Sequence, residues 1–304
     1  MNTEIARLEK LLQKAIAAKN HKKILFIYSQ LRKYEKINFD IEDLINVALA
    51  YDAEGDCSNA LKIYDCILNE NPGESRAYYG KAIIYESVND YEKAEVGYKK
   101  AIYYNPLYEK AYFFLANLYD EIGERKKAVN LYNKILEINP YDFWTLINLG
   151  SIYEGEGRDF LALELFRKAY GLDRSHYLAS FNLGVIYKKI NNIELSIKYY
   201  NISIKLNKNY PYSFLNLAVT YKEKNLLNKA IEVISQGIKY NPQCEFLYYN
   251  RSCFFAAGFD KEKSAQDLKT AIELYPKFKE YAQRDYELTE TLTHPLIQNM
   301  LKGK

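Results

Sequence analysis

Residues 109–142, EKAYFFLANLYDEIGERKKAVNLYNKILEINPYD, decide the fold, because their pattern returns every 34 residues from Ile41 to Phe278. Tyr112, Leu115, Ala116 and Tyr119 recur at helical spacing. Gly123 interrupts them, and Ala128, Tyr132 and Ile135 resume the period before Pro140. This is the signature of two amphipathic helices with a stop between them. The same interval gives repeats 1 to 7 at 41–74, 75–108, 109–142, 143–176, 177–210, 211–244 and 245–278.

The eighth position is small throughout (Ala48, Ala82, Ala116, Gly150, Gly184, Ala218, Ser252), as close helix crossing requires, and so is the twentieth (Ala60, Ala94, Ala128, Ala162, Ser196, Ala230, Ser264). The eleventh is aromatic in every copy, from Tyr51 to Phe255, and the twenty-fourth is large, from Tyr64 to Leu268. Knobs and holes therefore alternate along one seam. The fifteenth position is Gly55, Asn89, Gly123, Gly157, Asn191 and Asn225, the residue types that tolerate the left-handed conformation at a helix end. In the last copy the glycine slips back one place, to Gly258.

These residues resemble the tetratricopeptide repeat family, a 34-residue helix-turn-helix with an aromatic, a Leu-Gly pair, a Tyr, an Ala, a Phe and a Pro. The resemblance spans residues 41–278 and implies an all-α fold, a right-handed α-solenoid of tandem helix-turn-helix repeats. Arg174 and Lys208 replace the proline, and Gly237 weakens one helix, but these departures touch packing rather than fold. Residues 3–37 read as two further helices outside the 34-residue frame. They make a degenerate helical pair, domain 1–40, shielding the apolar end of repeat 1. Residues 279–304 read as one more first-type helix (Tyr281, Ala282, Leu288, Leu292) and a short segment started or bent by Pro295. The segment is similar to those that close many bacterial repeat arrays.

The N-terminus alternates charged and apolar residues without an uncharged core of signal-peptide length, and no run approaches the roughly 18 apolar residues of a membrane span. The expectation is a cytoplasmic protein without membrane contact. Cys57, Cys66, Cys244 and Cys253 form no Cys-x-x-Cys pair and fit reduced structural thiols. His21, His176 and His294 are far apart in a linear array, and no pair has metal-ligand or nucleophile–base spacing. Gly155-Glu156-Gly157 lacks the strand, third glycine and Lys-Ser/Thr of a phosphate loop. The sequence therefore points away from an enzyme and implies no cofactor.

In the family the first helix of each pair lines the concave surface, with positions 2, 5, 6, 9, 12 and 13 facing it. Carried over, position 6 is Asn46, Gly80, Phe114, then Asn148, Asn182, Asn216 and Asn250. Each carboxamide offers a donor and an acceptor, so this ladder can pair with an extended backbone. Trp144, Phe181, Tyr212, Phe246 and Tyr249 at positions 2 and 5 flank it as side-chain pockets. Position 12 runs Asp52, Glu86, Asp120, Glu154, then reverses sign at Lys188 and Lys222, a polarity suited to a ligand of opposite order. Matches to the clamp that chaperone-binding members use for C-terminal carboxylates are partial: Phe113, Leu178 and Asn182 stand where its cations belong.

The resulting expectation is a scaffold or adaptor that binds an extended protein segment in the concave groove, mainly repeats 4 to 7. A structural or homo-oligomeric subunit associating through its ends or convex face is the rival. Nucleic acid is disfavoured, because a net charge of +3 is weak and the lysines near Lys188 and Lys222 adjoin acidic repeats.

Overall fold

In the computed structural model, residues 2–34 and 37–302 are described. The end of the expected second N-terminal helix (residues 35 and 36) and of the C-terminal tail (303 and 304) lie outside them. All regular structure among the described residues is helical. Helices α1 (Asn2–Ala17) and α2 (His21–Leu31) come first. They are followed by α3 (Ile41–Ala53), α4 (Cys57–Glu70), α5 (Ser75–Ser87), α6 (Tyr91–Tyr104), α7 (Glu109–Glu121) and α8 (Arg125–Ile138). Next come α9 (Phe143–Gly155), α10 (Asp159–Leu172), α11 (Tyr177–Lys189), α12 (Ile193–Leu206), α13 (Pro211–Glu223), α14 (Leu227–Tyr240), α15 (Glu245–Ala257) and α16 (Lys261–Leu274).

The expected single helix after Phe278 is broken into α17 (Phe278–Arg284), a 3-10 turn (Tyr286–Leu288) and α18 (Thr289–Leu292), before α19 (Pro295–Lys302). Asp285 is the cause. Its backbone is extended, and its carboxylate accepts the Glu287 N–H at 3.0 Å, starting the chain afresh.

Every hairpin turns in the same way. The N–H at position 16 donates to the carbonyl at position 11, from Asp56 to Tyr51 through Asp260 to Phe255, at 2.7 to 2.9 Å in all seven. This bond closes only if position 15 is left-handed, as at Gly55 (φ 81°) and Asn89 (φ 59°). In repeat 7 the glycine has not shifted the turn: Gly258 caps α15 at φ −90°, and Phe259 takes the left-handed place at φ 60°.

The chain forms two compact bodies, residues 1–140 and 141–304. In the first, Leu12, Ile24, Ile27 and Leu31 of α1 and α2 share a core with Val47, Ala48, Tyr64 and Ile67. In the second, Ala218, Ile234, Leu247 and Phe254 form one core, and Leu268, Ala282, Leu288 and Ile297 another that joins the C-terminal segment to α16. Position 24 is the buried knob of the repeat, with Tyr98 and Phe166 at 0% and 1% exposed. At position 11, by contrast, Tyr51, Tyr85, Tyr153, Tyr221 and Phe255 are only half-buried. The backbone of position 11 closes the turn while its ring lies at the repeat edge.

Candidate functional site

In body 141–304 the predicted asparagines occupy the first helices, and two of them bond within their own helix. Asn216 Nδ2 donates to the Tyr212 carbonyl at 2.9 Å and Asn250 Nδ2 to the Phe246 carbonyl at 2.8 Å, one turn back in the same helix. Asn46 in the other body does the same with Glu42, at 2.8 Å. One of the two amide hydrogens of each is bonded locally, which leaves a second N–H and the Oδ1 acceptor to present. Asn148 and Asn182 are half-buried at the same position.

The flanking aromatics divide. Trp144 and Tyr212 are each 47% exposed. Phe246 stacks on Tyr212 at 5.0 Å, and Phe181 packs edge-on against Tyr210 at 5.1 Å. Tyr249 is engaged by the C-terminal segment: its ring stacks on Phe278 at 4.6 Å and its hydroxyl donates to Asp285 at 2.8 Å.

The lysines expected to orient a ligand are also engaged. Lys188 Nζ lies 2.8 Å from Glu223, and Lys222 Nζ lies 2.6 and 2.7 Å from the two carboxylate oxygens of Glu287. Neighbouring Lys189 pairs with Glu154 at 2.5 Å. The basic half of the expected charge gradient is therefore neutralised within the chain, and the acidic turn at 285–287 covers the end of repeats 6 and 7.

Body 1–140 holds a recess at the repeats where position 6 is not asparagine. A cavity of about 470 Å³ is walled by three successive first helices: Glu42, Ile45, Leu49 and Asp52 from α3, Arg76, Tyr79, Gly80 and Ile83 from α5, and Lys110 and Phe114 from α7. Tyr64 and Tyr108 complete it. A second cavity of about 330 Å³ shares Ile83 and Phe114 and adds Glu86, Asn89, Tyr91 and Glu121. The sequence clue was the break in the ladder at Gly80 and Phe114. Tyr64 crosses α5 where other repeats carry a side chain: a Cβ on Gly80 would lie 2.3 Å from Tyr64 Cζ.

The position-12 acids are held unequally. Glu86 accepts the Tyr98 hydroxyl, and Asp120 lies 3.8 Å from Arg125. In repeat 1 the equivalent pair is Tyr64 and Asp52, and Asp is one methylene shorter than Glu. Among the described residues no protein group hydrogen-bonds the Tyr64 hydroxyl or the Asp52 carboxylate. Tyr64 is only 2% exposed. Burial pushes the Asp52 and Glu86 carboxyls up, and the Tyr64 phenol up further, with the Asp52 charge contributing. Burial likewise moves the Tyr79 phenol up to about 12.

Other titratable groups serve structure. His176 Nδ1 accepts the Leu178 N–H at 3.3 Å, and His294 Nε2 meets Glu262 at 2.8 Å. Cys57, Cys66, Cys244 and Cys253 are free thiols, and burial pushes the Cys244 and Cys253 thiols up to about 11 and about 12. Among the described residues no group of three or more His, Cys, Asp or Glu side chains could hold a metal ion, and no helix is long and apolar enough to cross a membrane.

No curated protein matches the chain in sequence. Among solved structures, a tetratricopeptide repeat protein from Parabacteroides merdae aligns at TM-score 0.64 and 21% identity, over 83% of this chain and 98% of that one. The C-terminal part of a repeat-containing protein from Cytophaga hutchinsonii aligns at TM-score 0.63 and 13% identity, over 82% and 100%. The Cut9–Hcn1 hetero-tetramer of the APC/C gives TM-score 0.59 and 16% identity over 93% of this chain and 52% of that one, so the chain spans about half of that protein's length. These likenesses are of fold. The family profile described as tetratricopeptide repeat matches residues 75–106, 109–142, 145–176, 178–210 and 211–244, more than half of the sequence. With the same hairpin-turn bond in all seven repeats, the chain belongs to the tetratricopeptide repeat family.

Proposed function

We propose that the protein is a non-catalytic cytosolic scaffold that holds extended segments of partner protein against the first helices of its repeats. The observation that carries this reading is the cavity of about 470 Å³ walled by α3, α5 and α7. Three successive helices leave an apolar recess there, with Leu49 49% exposed at its wall. An open apolar recess with a few polar groups in its wall suits a protruding side chain, and neighbouring repeats supply the length for its backbone. In residues 141–304 the Oδ1 atoms of Asn216 and Asn250 recur at the repeat interval and suit backbone N–H donors. The half-exposed rings of Trp144 and Tyr212 suit the intervening side chains.

The test is affinity capture from the source cytosol with wild type, Leu49→Glu, and the fourfold change of Asn148, Asn182, Asn216 and Asn250 to Ala. Phe259→Glu, at a residue 96% exposed and outside the cavity, is the control. Partners lost with Leu49→Glu or the fourfold variant and kept with the control support the reading. Equal capture by all four proteins moves the interface to the ends or the outer helices and refutes it.

A further inference from the structure

The cavity of body 1–140 carries a chemistry that the general reading does not specify. Its wall contains an unfilled pair: a carboxylate, Asp52, and a nearly buried phenol, Tyr64, neither hydrogen-bonded among the described residues. In repeat 2 the corresponding Tyr98 and Glu86 satisfy each other. Asp52 is half-buried, so an occupant that displaces its remaining water must supply a partner in return, and an unpaired carboxylate costs more than an unpaired hydroxyl. What the site lacks is a donor for Asp52.

The surroundings define that donor. The rings of Tyr79 and Phe114 meet edge to face at 5.8 Å, and Tyr79 lies 5.2 Å from Tyr108, so three aromatic rings wall the recess with Tyr64. Aromatic faces beside a carboxylate attract a cation and tolerate its apolar stem. Next along the face, across Ile83 and Phe114, stand Glu86 and Glu121, whose side-chain partners are the hydroxyls of Tyr98 and Tyr91 and, among the described residues, no cation. The residues of repeat 1, 41–74, carry a net charge of −7. The two cations that line the cavity, Arg76 and Lys110, stand at position 2 of α5 and α7, at the opposite end of a first helix from position 12, about 15 Å along that helix's own axis. Arg76 is already bound to Glu42 at 2.6 Å and Glu74 at 2.9 Å.

We infer that this cavity is a cation pocket that takes an arginine or lysine side chain from the partner segment, its stem against Leu49, Ile83 and Phe114 and its charged head donating to Asp52 and Tyr64. The inference rests on the reading of the first-helix face as the docking surface and names the residue class read there. An anionic side chain would meet Asp52, Glu86 and Glu121, and a purely aliphatic one would leave Asp52 desolvated and unpaired.

The experiment titrates the full chain, methyl-labelled at Ile and Leu, with blocked tripeptides carrying arginine, lysine, citrulline or glutamate between alanines. The expected result is movement of the Ile45, Leu49 and Ile83 methyl signals with arginine or lysine, and at least tenfold weaker binding of citrulline, which keeps the shape and loses the charge. Asp52→Asn removes that preference. Tyr64→Phe weakens arginine binding about threefold while the methyl spectrum of the free protein is kept. Citrulline binding as well as arginine, or these methyl signals ignoring every peptide, overturns the pocket. The two readings separate in the capture experiment. A partner lost with Leu49→Glu but fully kept with Asp52→Asn leaves the docking face standing and removes the cation pocket.

Discussion

Lys222 and Glu287, 65 residues apart in sequence, form a two-point ion pair at 2.6 and 2.7 Å that joins α13 to the turn after α17. Their side chains are 26% and 28% exposed, between a surface pair and a buried one. Breaking the pair should cost about 1–2 kcal/mol. In a linear repeat array that loss is local, because each element leans only on its neighbours. Glu287→Gln should lower amide-exchange protection from Leu288 to Ile297 by about 5- to 30-fold and leave α9 to α12 unchanged. Unchanged protection at Leu288 would mean that its apolar packing alone holds the segment.

Arg251 and Asp267 fasten α15 to α16 in a different way. Two hydrogen bonds of 2.6 and 2.8 Å run between guanidinium and carboxylate, and a third of 2.9 Å reaches Ser235 on α14. The side chains are only 19% and 10% exposed. Arg251→Met strands a buried carboxylate and should cost about 3–5 kcal/mol, whereas Arg251→Met with Asp267→Leu should recover most of it. Chemical denaturation of the three proteins measures this. Equal losses in the single and double variants would show that shape, not charge, sets the cost.

Much of this structure could be read from the residues. Position 24 is a buried knob from Tyr64 to Leu268 because a ring or branched chain facing Ala or Gly has nowhere else to go. The sign of each position-12 charge was legible too, but not its partner. Lys188 reaches Glu223 and Lys222 reaches Glu287, contacts between repeats that no pattern within one repeat encodes. The asparagine ladder was legible as a row of amides, but not that several of its N–H groups bond within their own helix. An amide at position 6 lies over the carbonyl one turn back, and Asn46, Asn216 and Asn250 bond to it. The cavity was written as an absence, since Gly80 and Phe114 look like defects in the ladder until Tyr64 is seen crossing α5.

Two backbone positions should respond in opposite directions. A Cβ on Gly184 would stand 2.5 Å from Tyr200 Cδ1, and Tyr200 is 1% exposed with no room to retreat. Gly184→Ala should destabilise the fold by about 1–3 kcal/mol. Phe259 holds φ 60° while 96% exposed, so its ring contributes little packing to offset the backbone strain. Phe259→Gly should stabilise by about 1 kcal/mol, the relief of strain less the entropy of glycine. Thermal melts of both variants test the pair. A loss of stability in Phe259→Gly would show that the exposed ring has a packing role.

Asp52 should leave a mark on the pH dependence of stability. Burial raises its carboxyl above the ordinary carboxylate value, so the folded protein holds that proton to higher pH than the unfolded chain does. Between the ordinary value, about 4, and the raised one, the unfolded state binds fewer protons. Stability contributed by this group is therefore greatest at acid pH and falls as pH rises through that window, and the deficit is complete above the raised value. Asp52→Asn removes the titration. Unfolding followed from pH 3 to pH 8 should show the variant gaining on wild type as pH rises and holding a constant advantage above the raised value. A saturating arginine peptide should shrink that advantage at pH 7 by supplying the absent cation to wild type alone. A difference between the two proteins that does not vary with pH would mean that Asp52 stays fully hydrated in the folded protein.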